Sequence, residues 1–203
     1  MTSAMKVMKT LITLAALTVA VPSLAATYDI DTSHSSVEFK IKHLGISTVK
    51  GSFDTFSGHF DYVAGDASRW NSVATIELAS VDTGNEKRDE HLRSADFFDV
   101  ENKPNMVFEL TRAEMTGDDE GMLYGTLALN GKTLPVVLDL EFNGEVIDPW
   151  GNAKVGFSAT GKINRKDWGL TYGKVLESGG LLIGDEVKIS LEIAGVKRAE
   201  ANG

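Results

Sequence analysis

The sequence predicts an all-β fold, an antiparallel barrel of about eight or nine strands with one short helix near an opening. Three observations carry this. Apolar and polar residues alternate at period two in run after run, as in Val136, Leu138, Leu140 and Phe142 set against Val137, Asp139 and Glu141. Tight-turn signals such as Asn130-Gly131 separate the runs. A single stretch, beginning at Thr83, reads as helix.

In chain order, the first element is an address. Lys6 and Lys9 precede the apolar run Leu11 to Val21, and Ser23-Leu24-Ala25 ends in small residues suited to signal peptidase. Cleavage after Ala25 or Ala26 makes residues 1–25 a signal peptide and leaves residues 26–203 as one exported, periplasmic domain. The run falls short of the ~20 apolar residues of an ordinary membrane-spanning helix, and no second one follows.

Strands then follow. Val37, Phe39 and Ile41 alternate with Ser36, Glu38 and Lys40, and further runs cover Thr48 to Phe53, Phe56 to Val63 and Val73 to Ser80. Between Ser80 and Val100 the pattern changes. Thr83 and Glu86 have the spacing of a capping box, which predicts a helix from Gly84 to Arg93. Leu92 is its only large apolar residue, so the helix lacks a core-facing stripe, while Phe97 and Phe98 can anchor it over something apolar. It reads as a lid, with Asp89 and Arg93 four apart and poised to pair.

Strands resume at Met106 to Met115 and Met122 to Leu129. Asn130-Gly131 suits a type I′ hairpin into the run through Phe142. Asp148-Pro149-Trp150-Gly151 suits a type I turn into Val155 to Ile163. Val187, Ile189, Leu191 and Ile193 mark the last strand. A meander this long packs as a sandwich or closes on itself, and closure removes exposed edges. An eight-stranded barrel is either filled by side chains or holds one apolar ligand. An outer-membrane barrel would show aromatic girdles, which this sequence lacks.

Composition narrows the chemistry. With no cysteine there is no disulfide, no thiol nucleophile and no lipidated N-terminal cysteine. The net charge is -9, and removal of Lys6 and Lys9 lowers it to -11. That total disfavours nucleic acid and tight binding to anionic membrane surfaces. His34, His43, His59 and His91 fall in different elements without metal-ligand spacing. No nucleophile elbow or dinucleotide fingerprint is present, and Ser94 and Asp96 near His91 are a weak catalytic hint. No cofactor is implied. The charged helix has two readings: a solvated face, or Arg88, His91 and Arg93 as polar guards at a cavity mouth. Trp150 and Trp168, each followed by glycine, are expected at turns or the barrel rim.

These segments together resemble the YceI family of bacterial lipocalin-like proteins. The resemblance rests on His34-Ser35, the run Val37 to Gly45, Gly51-Ser52-Phe53, Phe56-Ser57-Gly58, Ser80 to Thr83, Arg88 to Ser94, and Asp96-Phe97-Phe98. It continues through Gly125, Leu127, Asn130-Gly131, Asp148 to Gly151, Gly156-Phe157, and Gly184-Asp185 with Val187 and Ile189. It implies an extended eight-stranded antiparallel barrel whose pore holds a long isoprenoid, such as a polyprenyl phosphate or an isoprenoid quinone. On apolar strand faces, Phe39, Ile41, Ile76, Phe108, Leu138, Phe157 and Ile189 are the candidate ligand-binding residues, with Arg88 and His91 at the mouth. The expected function is a non-enzymatic carrier. Its rivals are an enzyme or stress-response factor acting on a lipid or quinone through Arg88, Asp89 and His91, and a partner-binding module.

Overall fold

The computed structural model describes residues 25–175 and 180–199. The expected signal peptide, apart from Ala25, lies outside the described residues. Among the described residues, eleven strands form a continuous antiparallel sheet, joined by one α-helix. These are β1 Ala26–Ile30, β2 Ser36–His43, β3 Ser47–Phe53, β4 Phe56–Tyr62, β5 Asn71–Glu77, β6 Val81–Asp82, α1 Glu86–Arg93, β7 Asn105–Met115, β8 Glu120–Leu129, β9 Lys132–Ile147, β10 Ala153–Asn164 and β11 Ile183–Lys197.

The first six strands are three long strands, each broken once. β1 and β2 both pair with β11, at Tyr28↔Lys197 and Leu191↔Val37. β3 and β4 form the next strand, with β4 paired to β1 and β3 to β2, and β5 and β6 form the third, paired antiparallel to β4 and β3. Counted this way, eight antiparallel strands follow one another in chain order around the ring and close where the last meets the first. The fold is a closed eight-stranded up-and-down barrel of lipocalin type, and it has no free edge along most of its wall.

The breaks correct the sequence reading in detail. The run Val73 to Ser80 is not one strand: β5 ends at Glu77, Leu78–Ser80 forms a 3-10 turn with Leu78 fully buried, and β6 resumes at Val81. The strand β1, which the alternation does not announce, supplies the seam that closes the ring. Asn130 and Gly131 take φ values of 51° and 77°, as a type I′ hairpin requires. The Gly151 N–H donates to the Asp148 carbonyl at 3.0 Å, closing the expected turn at that hairpin.

Side-chain alternation sets the inside and the outside. Val136, Leu138 and Leu140 are buried while Val137, Asp139 and Glu141 are exposed. Charged residues thus cover the outer face, the reverse of an outer-membrane barrel. Inside, the packing divides along the axis. At the end bearing the Asp148 turn, Tyr28, Phe60, Tyr62 and Val155 are buried with Trp70, Phe142, Phe157 and Ile193 against them. Tyr28 stacks on Phe60 at 5.5 Å between ring centroids, and Phe157 lies edge-on to Phe60 at 5.6 Å and to Trp70 at 5.3 Å. This end is plugged by its own aromatics. The Tyr62 hydroxyl donates to Glu145 at 2.6 Å, and burial, with that carboxylate second, pushes its pKa up.

Candidate functional site

The opposite half of the barrel is not filled. Its inward side chains fail to meet across the axis and leave a cavity of about 410 Å³, within the range of small-molecule sites. Of the seven strand residues predicted to bind a ligand, Phe39, Ile41, Ile76, Phe108, Leu138 and Ile189 line this cavity. They come from β2, β5, β7, β9 and β11, so the wall is assembled from all sides of the ring. Val37, Val49, Phe53, Met106 and Leu127 complete much of the rest.

Phe157 is the correction. It points inward as its parity requires, but it pairs with Phe142 and Ile193 in the plugged half and does not reach the cavity. Phe142 shares its fate.

Glycines hold two of the cavity aromatics in place. A Cβ built on Gly51 would lie 2.5 Å from the Phe39 ring, and one on Gly125 would lie 2.5 Å from the Phe108 ring. Each ring therefore lies flat on a neighbouring strand where only a hydrogen leaves room, and the space it vacates belongs to the cavity.

Polar groups gather at one end of this apolar space. Arg88 and His91 on α1 both border the cavity, as does Phe97 just beyond the helix. The helix starts two residues later than predicted. Gly84 adopts a left-handed φ of 72°, so Asn85 is the N-cap and its side chain accepts from the Arg88 N–H at 3.1 Å. Thr83 is turned to a different partner. Its N–H donates at 3.1 Å, and its hydroxyl also donates, to Asp89, which is 4 % exposed. The predicted Asp89 to Arg93 pair is absent for that reason. Arg93 instead reaches the carbonyls of Ala79 at 2.8 Å and Val81 at 2.9 Å, pinning the helix to the β6 edge.

Arg88 donates from Nε to the Thr83 hydroxyl at 2.6 Å and from Nη2 to the Thr83 carbonyl at 2.8 Å. His91 contacts Asp96 through Nε2 at 2.9 Å, and its ring lies edge-on to Phe97 at 5.0 Å and to Tyr172 at 4.8 Å. Phe97 and Tyr172 stand 4.7 Å apart. These three rings join the helix to the segment after β10 across the mouth. Phe98 turns inward instead, 5.8 Å from Phe53.

Sequence reasoning misses the residue that shapes that segment. Arg165 is 4 % exposed and borders the cavity. Its guanidinium donates to the carbonyls of Leu170, Tyr172 at 2.8 Å, Ile183 at 3.3 Å and Gly184 at 2.8 Å, with Asp185 at 3.3 Å. Burial lowers its pKa and Asp185 opposes that. Within Asn164-Arg165-Lys166-Asp167 nothing marks one of two adjacent cations as buried. Trp168 lies in the turn after β10, as expected, but its burial is not announced by the sequence. It is 3 % exposed, with Nε1 donating to the Leu127 carbonyl at 2.9 Å, whereas Trp150 is 83 % exposed at its turn.

The catalytic hint finds no geometry. The Ser94 hydroxyl donates to the His91 carbonyl at 2.8 Å, not to its ring, so Ser94, His91 and Asp96 do not form a nucleophile relay. No group of three metal-ligating side chains occurs among the described residues.

Known proteins place this architecture. Residues 28–195 match the family described as the YceI-like domain. A UPF0312 protein of Serratia proteamaculans is 44% identical over 151 residues, covering 73% of this chain and 78% of its own. Among solved structures, a YCEI protein of Campylobacter jejuni is similar with a TM-score of 0.67 and 34% identity, covering 83% of this chain and 96% of its own. A polyisoprenoid binding domain from Saccharophagus degradans, implicated in plant cell wall breakdown, shares the fold with a TM-score of 0.64 at 16% identity, over 85% of this chain and 99% of its own. The barrel closed in chain order, its helix beside one mouth and this match over nearly all the described residues give one result: the chain belongs to the YceI-like family.

Proposed function

We propose that the protein is a non-enzymatic periplasmic carrier that shields a long isoprenoid, a polyprenyl phosphate or an isoprenoid quinone, inside the barrel. Export with loss of residues 1–25 belongs to this reading. The observation that carries it is a predominantly apolar cavity bordered at one end by Arg88 and His91, an arrangement that matches a long hydrocarbon with one polar end. At ~0.8 kcal/mol for each buried CH₂, one isoprene unit contributes a few kcal/mol, so the tail supplies most of the affinity. Arg88 and His91 stand where the headgroup would sit. The S. degradans domain named for polyisoprenoid binding has the same barrel, which supports the capacity of the fold.

Mass spectrometry of lipid extracted from protein purified out of its native host tests the proposal. An isoprenoid at near-stoichiometric occupancy is expected. Absence of lipid, or an acyl lipid without isoprene units, overturns it. Arg88→Ala should weaken a prenyl phosphate more than a neutral quinone by about 1.5 to 3 kcal/mol, the worth of a hydrogen bond to a charged group.

A further inference from the structure

The rim of the cavity is more apolar than its turns require. The β2–β3 turn has φ values of 55° at Leu44 and 73° at Gly45, nearly the pair seen at Asn130 and Gly131. That conformation favours asparagine or glycine, because a short polar side chain relieves the strain of the left-handed region and leucine does not. At Asn130 the chain uses the favoured residue. At Leu44 it uses leucine, 38 % exposed, followed by Ile46 at 86 %.

Beside this turn the Leu44 N–H donates to the Leu182 carbonyl at 2.9 Å, and the Leu182 N–H donates to the Lys174 carbonyl at 2.9 Å. Val175, 71 % exposed, bridges to Leu181. Leu44, Ile46, Val175 and Leu181 therefore form one apolar lip, contiguous with Leu182 and His43 of the cavity lining.

A second anomaly lies below the lip on the outer face of the same strands. Lys50 is paired directly opposite Lys40, Lys40 opposite Lys188, and Lys188 opposite Lys162, so four lysines cross β3, β2, β11 and β10 in one row. Like charges at directly opposed sheet positions are destabilising. Lys162 has Glu186 at 3.8 Å, and among the described residues Lys40, Lys50 and Lys188 form no ion pair. Glu38 and Glu192 on these strands lie farther from the mouth. In a chain of net charge -9, this row is a local reversal of sign.

We infer that the lip and the lysine row dock the barrel, mouth first and tilted toward β2 and β11, on an anionic lipid bilayer. Apolar tips at the depth of the headgroups beside a basic face are the composition of an interfacial anchor. The acidic remainder of the surface keeps the contact shallow and reversible. A cargo that cannot cross water then passes between bilayer and cavity along a continuous apolar path, so the inference rests on the carrier reading above.

Co-sedimentation with vesicles tests it, comparing phosphatidylglycerol–phosphatidylethanolamine vesicles with phosphatidylcholine alone. Binding to the anionic vesicles, weakened by salt, is expected. Lys40→Gln and Lys188→Gln should each lower it about fivefold, and Ile46→Ser should also weaken it. Leu44→Asn should raise thermal stability while weakening binding, a pair of opposite changes that a merely structural turn residue would not give. Failure of the wild type to bind, equal binding to both vesicles, or an Ile46→Ser change that dissociates a dimer without affecting vesicle binding overturns the inference. Mass spectrometry on the same preparations separates the two readings: bound isoprenoid without vesicle binding overturns docking alone, and absence of bound lipid overturns the carrier.

Discussion

Replacing Gly125 by alanine sets a methyl 2.5 Å from the Phe108 ring and 2.6 Å from the Glu109 carbonyl oxygen. The carbonyl is backbone and yields little, so the ring must swing into the cavity or the strand must shift. A loss of about 1 to 3 kcal/mol in a denaturant melt, together with lower lipid occupancy, is expected. Phe157→Ala gives the complementary result: about 3 kcal/mol or more of stability lost from the aromatic plug, with lipid occupancy unchanged. Equal loss of lipid in both variants would show that the two halves of the barrel are not separate. The pair also marks the limit of reading the sequence. Alternation at period two tells which face of the wall Phe108 and Phe157 occupy, and both face inward. Their height along the axis depends on register and strand tilt, which no local pattern records. Arg165 is invisible for a related reason, because its burial arises from carbonyls far along the chain, at Ile183 and Gly184.

Among the elements, helix α1 was legible and its supports were not. Thr83, Glu86 and the acidic first turn announce a helix start, yet Gly84 in the left-handed region passes the cap to Asn85. Competition between two capping residues is settled by the path of the chain leaving β6. On the other side of the mouth, Arg165→Met should leave several carbonyls of residues 170–184 unpaired; hydrogen exchange there should accelerate, while exchange in β4 and β5 stays slow. The break between β1 and β2 carries a pH dependence. Asp31 Oδ2 lies 2.9 Å from Lys154 Nζ and 2.9 Å from His34 Nδ1, and the Ser33 N–H donates to Oδ1. The hydrogen bond from Lys154 above all holds the Asp31 carboxyl below its ordinary pKa. In the unfolded chain the proton returns at a higher pH. The stabilisation is therefore complete above the ordinary aspartate value and is lost as pH falls through the depressed one. Melting of wild type and Asp31→Asn at a series of pH values should show a gap that is constant near neutrality and closes in acid; a gap independent of pH would remove Asp31 from this role.

At the scale of the whole molecule, eight long strands in meander order follow from alternation and turns, because each strand pairs with its neighbour in sequence and needs no long-range information. What the sequence conceals is the inequality of the two halves. One is closed by four buried residues with six partly buried ones packed against them. The other is a wall around about 410 Å³ that only a guest can fill. This half has a packed cluster of its own around Leu78, Val81 and Trp168, but the apolar side chains that line the empty space lack contacts on one side, so occupation adds stability there. A ligand that binds the folded state alone raises stability by RT ln(1 + [L]/Kd), about 2.7 kcal/mol at a hundred times Kd. Removing the native lipid should lower Tm, and hydrogen exchange should show where. Amides of β2, β7 and the segment between β10 and β11 near the mouth should lose protection, while those of β1 and β4 beside Tyr28 and Phe60 should keep it. Uniform loss along every strand would mean that the barrel responds as one unit and that the plug does not stand on its own.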